Sequence, residues 1–150
     1  MTDKDTSREG VTIWLPSNVY PSAVIGTDVS IGVFSEIGPC HIGNGVRIGA
    51  MSFIPEGVYI EANAWIGPRC TFTNDRFPPS DKTRWQKTYV REGARLGAGV
   101  TVICGVTIGE GALIGAGSVV TRDIPPGEIW AGCPAKKLKR RNKQKTNKEG

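Results

Sequence analysis

The side chains of this sequence that could move a proton or bind a metal are few. Of the 150 residues, only His41 is a histidine. Protein zinc sites usually take four ligands from closely spaced cysteines and histidines. The sequence therefore predicts no metal site within one chain and favours free thiols in a reducing compartment. The four cysteines stand about 30 positions apart and form no CxxC pair: Cys40, Cys70, Cys104 and Cys133.

His41 has two interpretations. Histidine is the commonest general base in enzymes, so His41 could take a proton from a substrate across a cleft between subunits. A single histidine without a partner motif carries no further sign of catalytic status, however. We favour a surface residue that is remote from the chemistry, with the base as the alternative.

A second candidate lies in the polar segment FTNDRFPPSDKTRWQKTYV, residues 72–90. Its paired prolines and charged side chains cannot line a core, so the segment must leave the fold as a loop. Asn74 stands near its start. From the residues alone, we favour a role for Asn74 as the cap of the first turn of the loop, which asparagine often takes.

The segments on both sides of this loop contain an internal repeat of six residues. An aliphatic residue returns at every sixth position, usually followed by glycine, and a small or branched residue stands four positions later. A period of six fits neither an α-helix nor a simple strand. Only the step from Ile37 to Ile42 is one residue short. The aliphatic positions are Ile25, Ile31, Ile37, Ile42, Ile48, Ile54, Ile60 and Ile66, then Val90, Leu96, Val102, Ile108, Ile114 and Val120.

This repeat predicts an all-β fold, a parallel β-helix. Each hexad would supply one short strand and one tight corner, three hexads would close a triangular coil, and the stacked coils would share one core. An ordinary β-sandwich would not explain the constant phase of the repeat. We predict roughly five coils, stacked about 4.8 Å apart. The expected boundaries are an N-terminal lead-in at 1–23, the β-helix domain at 24–135 with a protruding loop at 73–89, and a basic C-terminal tail at 136–150.

The net charge of +5 comes from the end of the chain. Residues 136–150 contain eight Lys and Arg and one Glu, so the remaining body is slightly acidic. No basic face with interleaved aromatic residues is visible, and we expect no nucleic-acid partner. No apolar stretch approaches the roughly 20 residues of a membrane span. We therefore expect a cytoplasmic protein, in which the first lysines of the tail could lie near a phosphate.

The repeats that begin with IG, the FTN loop and the run GVTIGEGALIGAGSVVTRDIPPGEIWAGCPAK together resemble the hexapeptide-repeat acyltransferases. The resemblance covers about residues 24–138. It implies a left-handed parallel β-helix. The hand comes from the resemblance alone, because parallel crossovers are normally right-handed.

Within that family, the FTND and WQKTYV segments are similar to the N-acetyltransferases of nucleotide-linked amino sugars. The resemblance implies acetyl-CoA as cosubstrate, a homotrimer, and active sites between subunits. It places the backbone N–H groups of Ala98 and Ala116 beside the pantetheine arm, Thr121 and Arg122 near the coenzyme, and Lys136 near its nucleotide end. Arginine and lysine suit phosphate groups. Corner packing is the alternative role of the two alanines.

The resemblance also implies a chemistry without a protein base. Hexapeptide O-acetyltransferases typically place a histidine in the loop to activate a hydroxyl, and residues 73–88 contain none. A neutral amine attacks a thioester once it is well oriented. We therefore expect Asn74 to hold the amino group, with Asp75 beside it at the substrate, and the departing thiolate to accept the proton.

The expected substrate class is a nucleotide-linked amino sugar used for surface polysaccharide such as O-antigen. Similarity slightly favours UDP-2-acetamido-3-amino-2,3-dideoxyglucuronate over dTDP-linked 3-amino-3,6-dideoxyhexoses. Sugar O-acetylation and a catalytically silent β-helix used for assembly are the alternatives. A hexapeptide carbonic anhydrase needs three histidines per zinc, and His41 alone does not supply them.

Overall fold

The hexads of the repeat form short strands joined by tight turns. The computed structural model describes residues 3–139, and within them the only helical element is a 3-10 turn at Lys82–Arg84. The strands are β1 (Lys4–Asp5), β2 (Val11–Trp14), β3 (Asn18–Val19), β4 (Val24–Ile25), β5 (Val29–Ile31), β6 (Glu36–Ile37), β7 (His41–Ile42), β8 (Arg47–Ile48), β9 (Phe53–Ile54), β10 (Val58–Ile60), β11 (Trp65–Ile66), β12 (Thr71–Phe72), β13 (Thr88–Val90), β14 (Arg95–Leu96), β15 (Thr101–Val102), β16 (Thr107–Ile108), β17 (Leu113–Ile114), β18 (Val119–Val120), β19 (Ile129–Gly132) and β20 (Ala135–Lys137).

These strands make the three faces of a prism. Face A has the order β1-β2-β5-β8-β11-β14-β17-β19-β20, face B the order β3-β6-β9-β12-β15-β18, and face C the order β4-β7-β10-β13-β16. Successive strands of the chain lie on faces A, B and C in turn. All neighbours pair in parallel except β1 with β2 and β19 with β20, which are antiparallel. The result is a left-handed parallel β-helix of about seven turns.

Each strand turns one aliphatic side chain into the prism and its predecessor outward. In β11, for example, Ile66 is fully buried whereas Trp65 is 55% exposed. Small buried residues at the corners, such as Ala94 and Ala112, leave room for these aliphatic side chains. All the predicted aliphatic positions except Ile25 are buried, and Ile25 packs against the core.

The short step between Ile37 and Ile42 is accommodated in a corner. There the N–H of Cys40 donates to the carbonyl of Gly38 over 2.7 Å, so the turn closes with one residue fewer. The thiol of Cys40 is buried in this corner. Burial raises the pKa of the Cys40 thiol to about 12, against an opposing backbone hydrogen bond. Cys40 is therefore a packing residue rather than a nucleophile.

The predicted fold class, the parallel β-helix and the protruding loop are confirmed, and two details differ. The helix has about seven turns instead of five. Its face A begins with Val11–Trp14, which pairs in parallel with Val29–Ile31, upstream of the expected start at residue 24. The first coil reads VTIWLPSNVYP, without the IG pairs that mark the later hexads. Most of the tail predicted at 136–150 lies outside the described residues.

The ends of the prism are closed by antiparallel strands, β1 at the start and β20 at the end. Such strands cover the backbone edge of the terminal coils. Among residues 3–139, no helix is long and apolar enough to cross a membrane.

Candidate active site

Two rows of corners flank face B, and the predicted site residues divide between them. We call the corners between faces A and B the A–B edge, and those between faces B and C the B–C edge. The loop of residues 73–87 leaves the prism at the B–C edge, between β12 and β13. Asn74 is the second residue after β12, so it stands at the base of the loop.

The base of the loop is fixed to the next coil by hydrogen bonds. The guanidinium of Arg76 donates to the carbonyl of Cys104 over 3.0 Å, and the N–H of Cys104 donates to the hydroxyl of Thr73 over 3.0 Å. The N–H of Gln86 donates to the carbonyl of Asn74, also over 3.0 Å. The backbone of Asn74 is therefore held on both sides of the loop, while its amide side chain lines a cavity.

Asp75 is occupied by the structure of the loop itself. Its carboxylate accepts hydrogen bonds of 2.7 Å from both the N–H and the hydroxyl of Ser80, and one of 3.1 Å from the N–H of Phe77. Burial acts to raise the pKa of Asp75, but these hydrogen bonds and the charge of Arg84 outweigh it and lower that pKa. The side chain thus stabilises the loop turn, and a second role at the substrate stays a prediction.

The cavity beside Asn74 has a volume of about 260 Å³. Three aromatic residues line it: Tyr20, Phe53 and Trp85. Two carboxylates, Glu36 and Glu56, lie on the same walls, and Lys82 reaches in from the loop. Its Nζ stands 3.3 Å from Oε2 of Glu56. Aromatic walls with a few convergent polar groups are typical of small-molecule sites.

Trp85 gives this cavity an unusual feature. Its indole Nε1 is buried and has no hydrogen-bond acceptor within the part of the chain that the structure describes. Buried N–H groups are nearly always paired in native proteins. The aliphatic stem and ammonium of Lys82 lie over the indole ring, 4.9 Å from its centroid. The loop therefore brings an indole donor and a cation to the side of Asn74.

Ala98 and Ala116 lie one above the other on the A–B edge. The Cα of Gly67 approaches the backbone of Ala98, and a Cβ at Gly97 would stand 2.6 Å from the N of Ala116. The carbonyl of Ala98 accepts the N–H of Gly117 over 2.8 Å. Within residues 3–139, neither the N–H of Ala98 nor that of Ala116 has an acceptor. Two backbone donors are thus free on adjacent coils.

Lys136 extends this row of corners toward the C-terminal end. It pairs with Ala131 across β19 and β20, and the methyl group of Ala131 lies directly against Gly115 of the preceding corner. The side chain of Lys136 is exposed. The structure therefore brings Ala98, Ala116 and Lys136 to one edge, as a ligand that runs along the prism would require.

Thr121 and Arg122 lie on the other side of face B, at the B–C edge. They follow β18, which is two strands from β12, so about 10 Å separates their corner from that of Asn74. The guanidinium of Arg122 lies 5.1 Å from the centroid of the Trp130 ring, at the end of the prism. Arg122 thus stabilises the terminal coil, and the structure does not place it with Lys136.

His41 is on face C, in a stack of aromatic rings. Its ring centroid is 4.6 Å from that of Tyr59, which in turn is 5.1 Å from that of Tyr89. The groove along this stack also includes Glu61 and Arg91, which form an ion pair of 2.6 Å. None of its lining residues lines the cavity of Asn74. His41 is therefore an exposed member of a surface stack.

The sequence analysis did not identify Glu56 or Trp85. The repeat contains a signal for Glu56, because it precedes Asn74 by 18 residues, one full coil, and β9 pairs with β12 in that register. Trp85 has no such signal, since the loop lies outside the repeat. No group of three potential metal ligands occurs among the described residues.

Comparison with known proteins now defines the family. A profile for the bacterial transferase hexapeptide (six repeats) matches residues 87–122, and one for the hexapeptide repeat of succinyl-transferase matches residues 39–68. The chain belongs to the hexapeptide-repeat transferase family. Both matches fall on coils of the β-helix, one on each side of the loop.

Relatives in this family include the bifunctional protein GlmU of Aquifex aeolicus, 33% identical over 134 residues, and serine acetyltransferase 2 of Arabidopsis thaliana, 34% identical over 122 residues. These matches cover 89% and 81% of this chain, but only 28% and 32% of the two relatives. The chain thus spans about a third or less of the curated proteins it resembles.

Two solved structures share the fold. A complex of GDP-perosamine N-acetyl transferase from Caulobacter crescentus with CoA and GDP-perosamine has a TM-score of 0.76 and 28% identity, over 87% of this chain and 57% of that one. The acetyltransferase domain of PglB from Neisseria gonorrhoeae, in complex with acetyl coenzyme A, has a TM-score of 0.72 and 27% identity, over 86% and 58%.

Proposed function

We propose that this protein transfers an acetyl group from acetyl-CoA to the amino group of a nucleotide-linked amino sugar. The observation that carries the proposal is the cavity beside Asn74, which combines aromatic walls with carboxylates and contains no imidazole. Carboxylates attract an amine in its protonated form, whereas a hydroxyl acceptor would call for a base. The two solved acetyltransferases with this fold support the same reaction class.

Acetyl-CoA would supply the acetyl thioester, and the A–B edge fits its chain of amides. Ala98 and Ala116 present free N–H donors on adjacent coils, about 4.8 Å apart. Lys136 lies on the same edge, where its ammonium would attract phosphates. We propose a smaller contribution from Thr121 and Arg122, because Arg122 is already stacked on Trp130.

Asn74 would orient the acceptor. Its backbone is fixed to Gln86, so its side-chain oxygen can hold one N–H of the amine while the nitrogen lone pair faces the acetyl carbon. Attack would form the C–N bond and break the C–S bond. The coenzyme thiolate would then accept the remaining proton of the nitrogen. Asp75 would act indirectly, by keeping the loop turn that carries Asn74 in place.

We propose UDP-2-acetamido-3-amino-2,3-dideoxyglucuronate as the first acceptor to test, for surface polysaccharide biosynthesis, with dTDP-linked 3-amino-3,6-dideoxyhexoses as the next. We also propose a homotrimer, in which the loop rests on a neighbouring prism and the A–B edge of one subunit faces the loop of another. All four cysteines are free thiols, which fits a reducing cytoplasm.

The test is release of free thiol from acetyl-CoA by the purified protein. A panel of UDP- and dTDP-linked amino sugars should include an acceptor that gives turnover, and its hydroxyl counterpart should give none above background. Equal turnover with the hydroxyl counterpart would indicate an O-acetyltransferase. No thiol release with any amino sugar would contradict the proposal.

A further inference from the structure

Glu56 occupies the position on the B–C edge directly before that of Asn74. Phe53 of β9 pairs with Thr71 of β12, and the same register sets Glu56 against Asn74 one coil later. Adjacent coils are separated by about 4.8 Å. Both side chains line the same cavity. A group held by the amide of Asn74 would therefore lie within reach of the carboxylate of Glu56.

The carboxylate of Glu56 is accessible and already binds an alkylammonium. Its side chain is 49% exposed, and its Oε2 stands 3.3 Å from Nζ of Lys82. Lys82 belongs to the 3-10 turn of the loop and is 71% exposed. An ion pair between two such exposed side chains is weak. A substrate ammonium could therefore replace Lys82 at Glu56 at little cost.

The acceptor itself brings a positive charge to this place. Aliphatic amines near an electron-withdrawing ring are largely protonated at neutral pH, and a protonated amine has no lone pair with which to attack. The cavity thus needs a group that attracts the ammonium and takes its proton. The charged groups that face Glu56 are Lys82 from the loop and Glu36 from the preceding coil, with the phenol of Tyr20 beside them.

We propose that Glu56 is the residue that binds the amino group of the acceptor as an ammonium ion and accepts its proton as Asn74 orients it. This inference rests on the proposed N-acetyltransferase function. The nitrogen gives one proton to the Glu56 carboxylate and uses the freed lone pair to form the C–N bond, while the C–S bond breaks. The second proton of the nitrogen goes to the departing thiolate, and Glu56 returns its own proton to solvent.

Glu36 provides the matched comparison. It lies on the same cavity with the same charge, but it belongs to β6 and pairs with Phe53 rather than preceding Asn74. If position at the amino group is decisive, Glu36→Gln should change far less than Glu56→Gln. Glu92→Gln, at an exposed corner between faces C and A, controls for a loss of charge elsewhere on the prism.

The first measurement is calorimetric binding without acetyl-CoA, of UDP-2-acetamido-3-amino-2,3-dideoxyglucuronate and of its 3-hydroxy counterpart. The wild type should bind the amino sugar about 10- to 100-fold more tightly. Glu56→Gln should abolish this preference and leave affinity for the hydroxy sugar unchanged. Lys82→Met should increase the preference, because Glu56 then has no competing cation.

The second measurement is the pH profile of turnover. At neutral pH, Glu56→Gln should lower kcat by about 100-fold. Its kcat should then rise about tenfold per pH unit until the acceptor amine is neutral by itself, whereas wild-type kcat should vary much less. A purely structural role of Glu56 would not produce this recovery at high pH.

Several outcomes separate this inference from the proposed function. If the wild type acetylates an amino sugar but Glu56→Gln keeps both the binding preference and kcat, the assignment of Glu56 is wrong and the function stands. The same holds if Glu36→Gln has an equal effect, because the total charge of the cavity would then be responsible. If the wild type acetylates no amino sugar, the proposed function fails and this inference fails with it.

Discussion

The A–B edge differs between the coils before the loop and those after it. At the corner residue with a left-handed backbone, the earlier coils have Phe34, Met51 and Arg69, with φ between 58° and 60°. The later coils have Gly99 and Gly117 at the equivalent corners, with φ of 68° and 71°. A Cβ at either glycine would meet no atom within 4 Å.

The earlier coils show that this backbone angle does not require glycine, because three residues with large side chains adopt it. The glycines of the later coils therefore have another consequence, which is a bare edge. It coincides with the free N–H groups of Ala98 and Ala116. A ligand could approach the backbone there, while Phe34 and Met51 would exclude it from the same edge of the earlier coils.

The largest effect should separate the loop from face C. Asn74→Ala should lower kcat by one to three powers of ten, about 1.4 kcal/mol for each, because the amine loses its orientation. His41→Asn should leave kcat within several-fold of the wild type, because His41 belongs to the surface stack with Tyr59. Steady-state kinetics on both variants tests this pair. Sedimentation must first show that each variant assembles as the wild type does.

The reverse result would be decisive against the loop. If His41→Asn abolished turnover and Asn74→Ala were nearly silent in intact assemblies, the chemistry would lie on face C.

The next effect tests the bare edge directly. Gly117→Met and Gly99→Met copy the side chain that Met51 has in an earlier coil. Each should raise the KM for acetyl-CoA by about 10- to 50-fold through steric exclusion, roughly 1.4 kcal/mol per tenfold. A left-handed non-glycine residue also costs about 1–2 kcal/mol of folding free energy. Thermal unfolding should therefore show a Tm lower by several degrees.

Met51→Gly is the mirror-image control, and its KM for acetyl-CoA should stay within about twofold of the wild type. If Gly117→Met also left KM unchanged, the bare edge would have no role in coenzyme binding.

A smaller effect should distinguish the two cations assigned to the coenzyme. Lys136→Ala should raise the KM for acetyl-CoA about three- to tenfold without changing Tm, because its side chain is exposed on the A–B edge. Arg122→Ala should mainly affect stability. The loss of its contact with Trp130 is worth about 1 kcal/mol, or roughly 2–4 °C in Tm. A larger KM change in Arg122→Ala than in Lys136→Ala would reverse this assignment.

The smallest effect concerns the thiols. Burial raises the pKa of the thiols of Cys40 and Cys70, so both stay neutral and protected in the folded protein at neutral pH. Cys133 is exposed. Brief alkylation of the native protein, followed by mass spectrometry, should therefore modify Cys133 alone, with no loss of stability. Rapid modification of Cys40 would mean that the short corner at Gly38 opens.

The repeat made the fold predictable, because a hexad returns an aliphatic side chain to one core in a constant phase. Ile54 and Ile66 are fully buried as that phase requires. The first coil escaped detection because β2 and β3 lack the glycine that marks later corners. Arg122 shows the limit for the site, since its stacking on Trp130 depends on a side-chain conformation that no periodicity encodes. The loop has no repeat, so Trp85 could be placed only by the structure.

The measurement that tests the account most directly is a crystal structure with coenzyme A and an amino sugar bound. We predict that the pantetheine arm runs along the bare A–B edge and accepts hydrogen bonds from Ala98 and Ala116. The amino group should lie between Asn74 and Glu56, on the same subunit or on its neighbour. Coenzyme along the earlier coils beside Met51, or an amino group beside His41, would contradict the account.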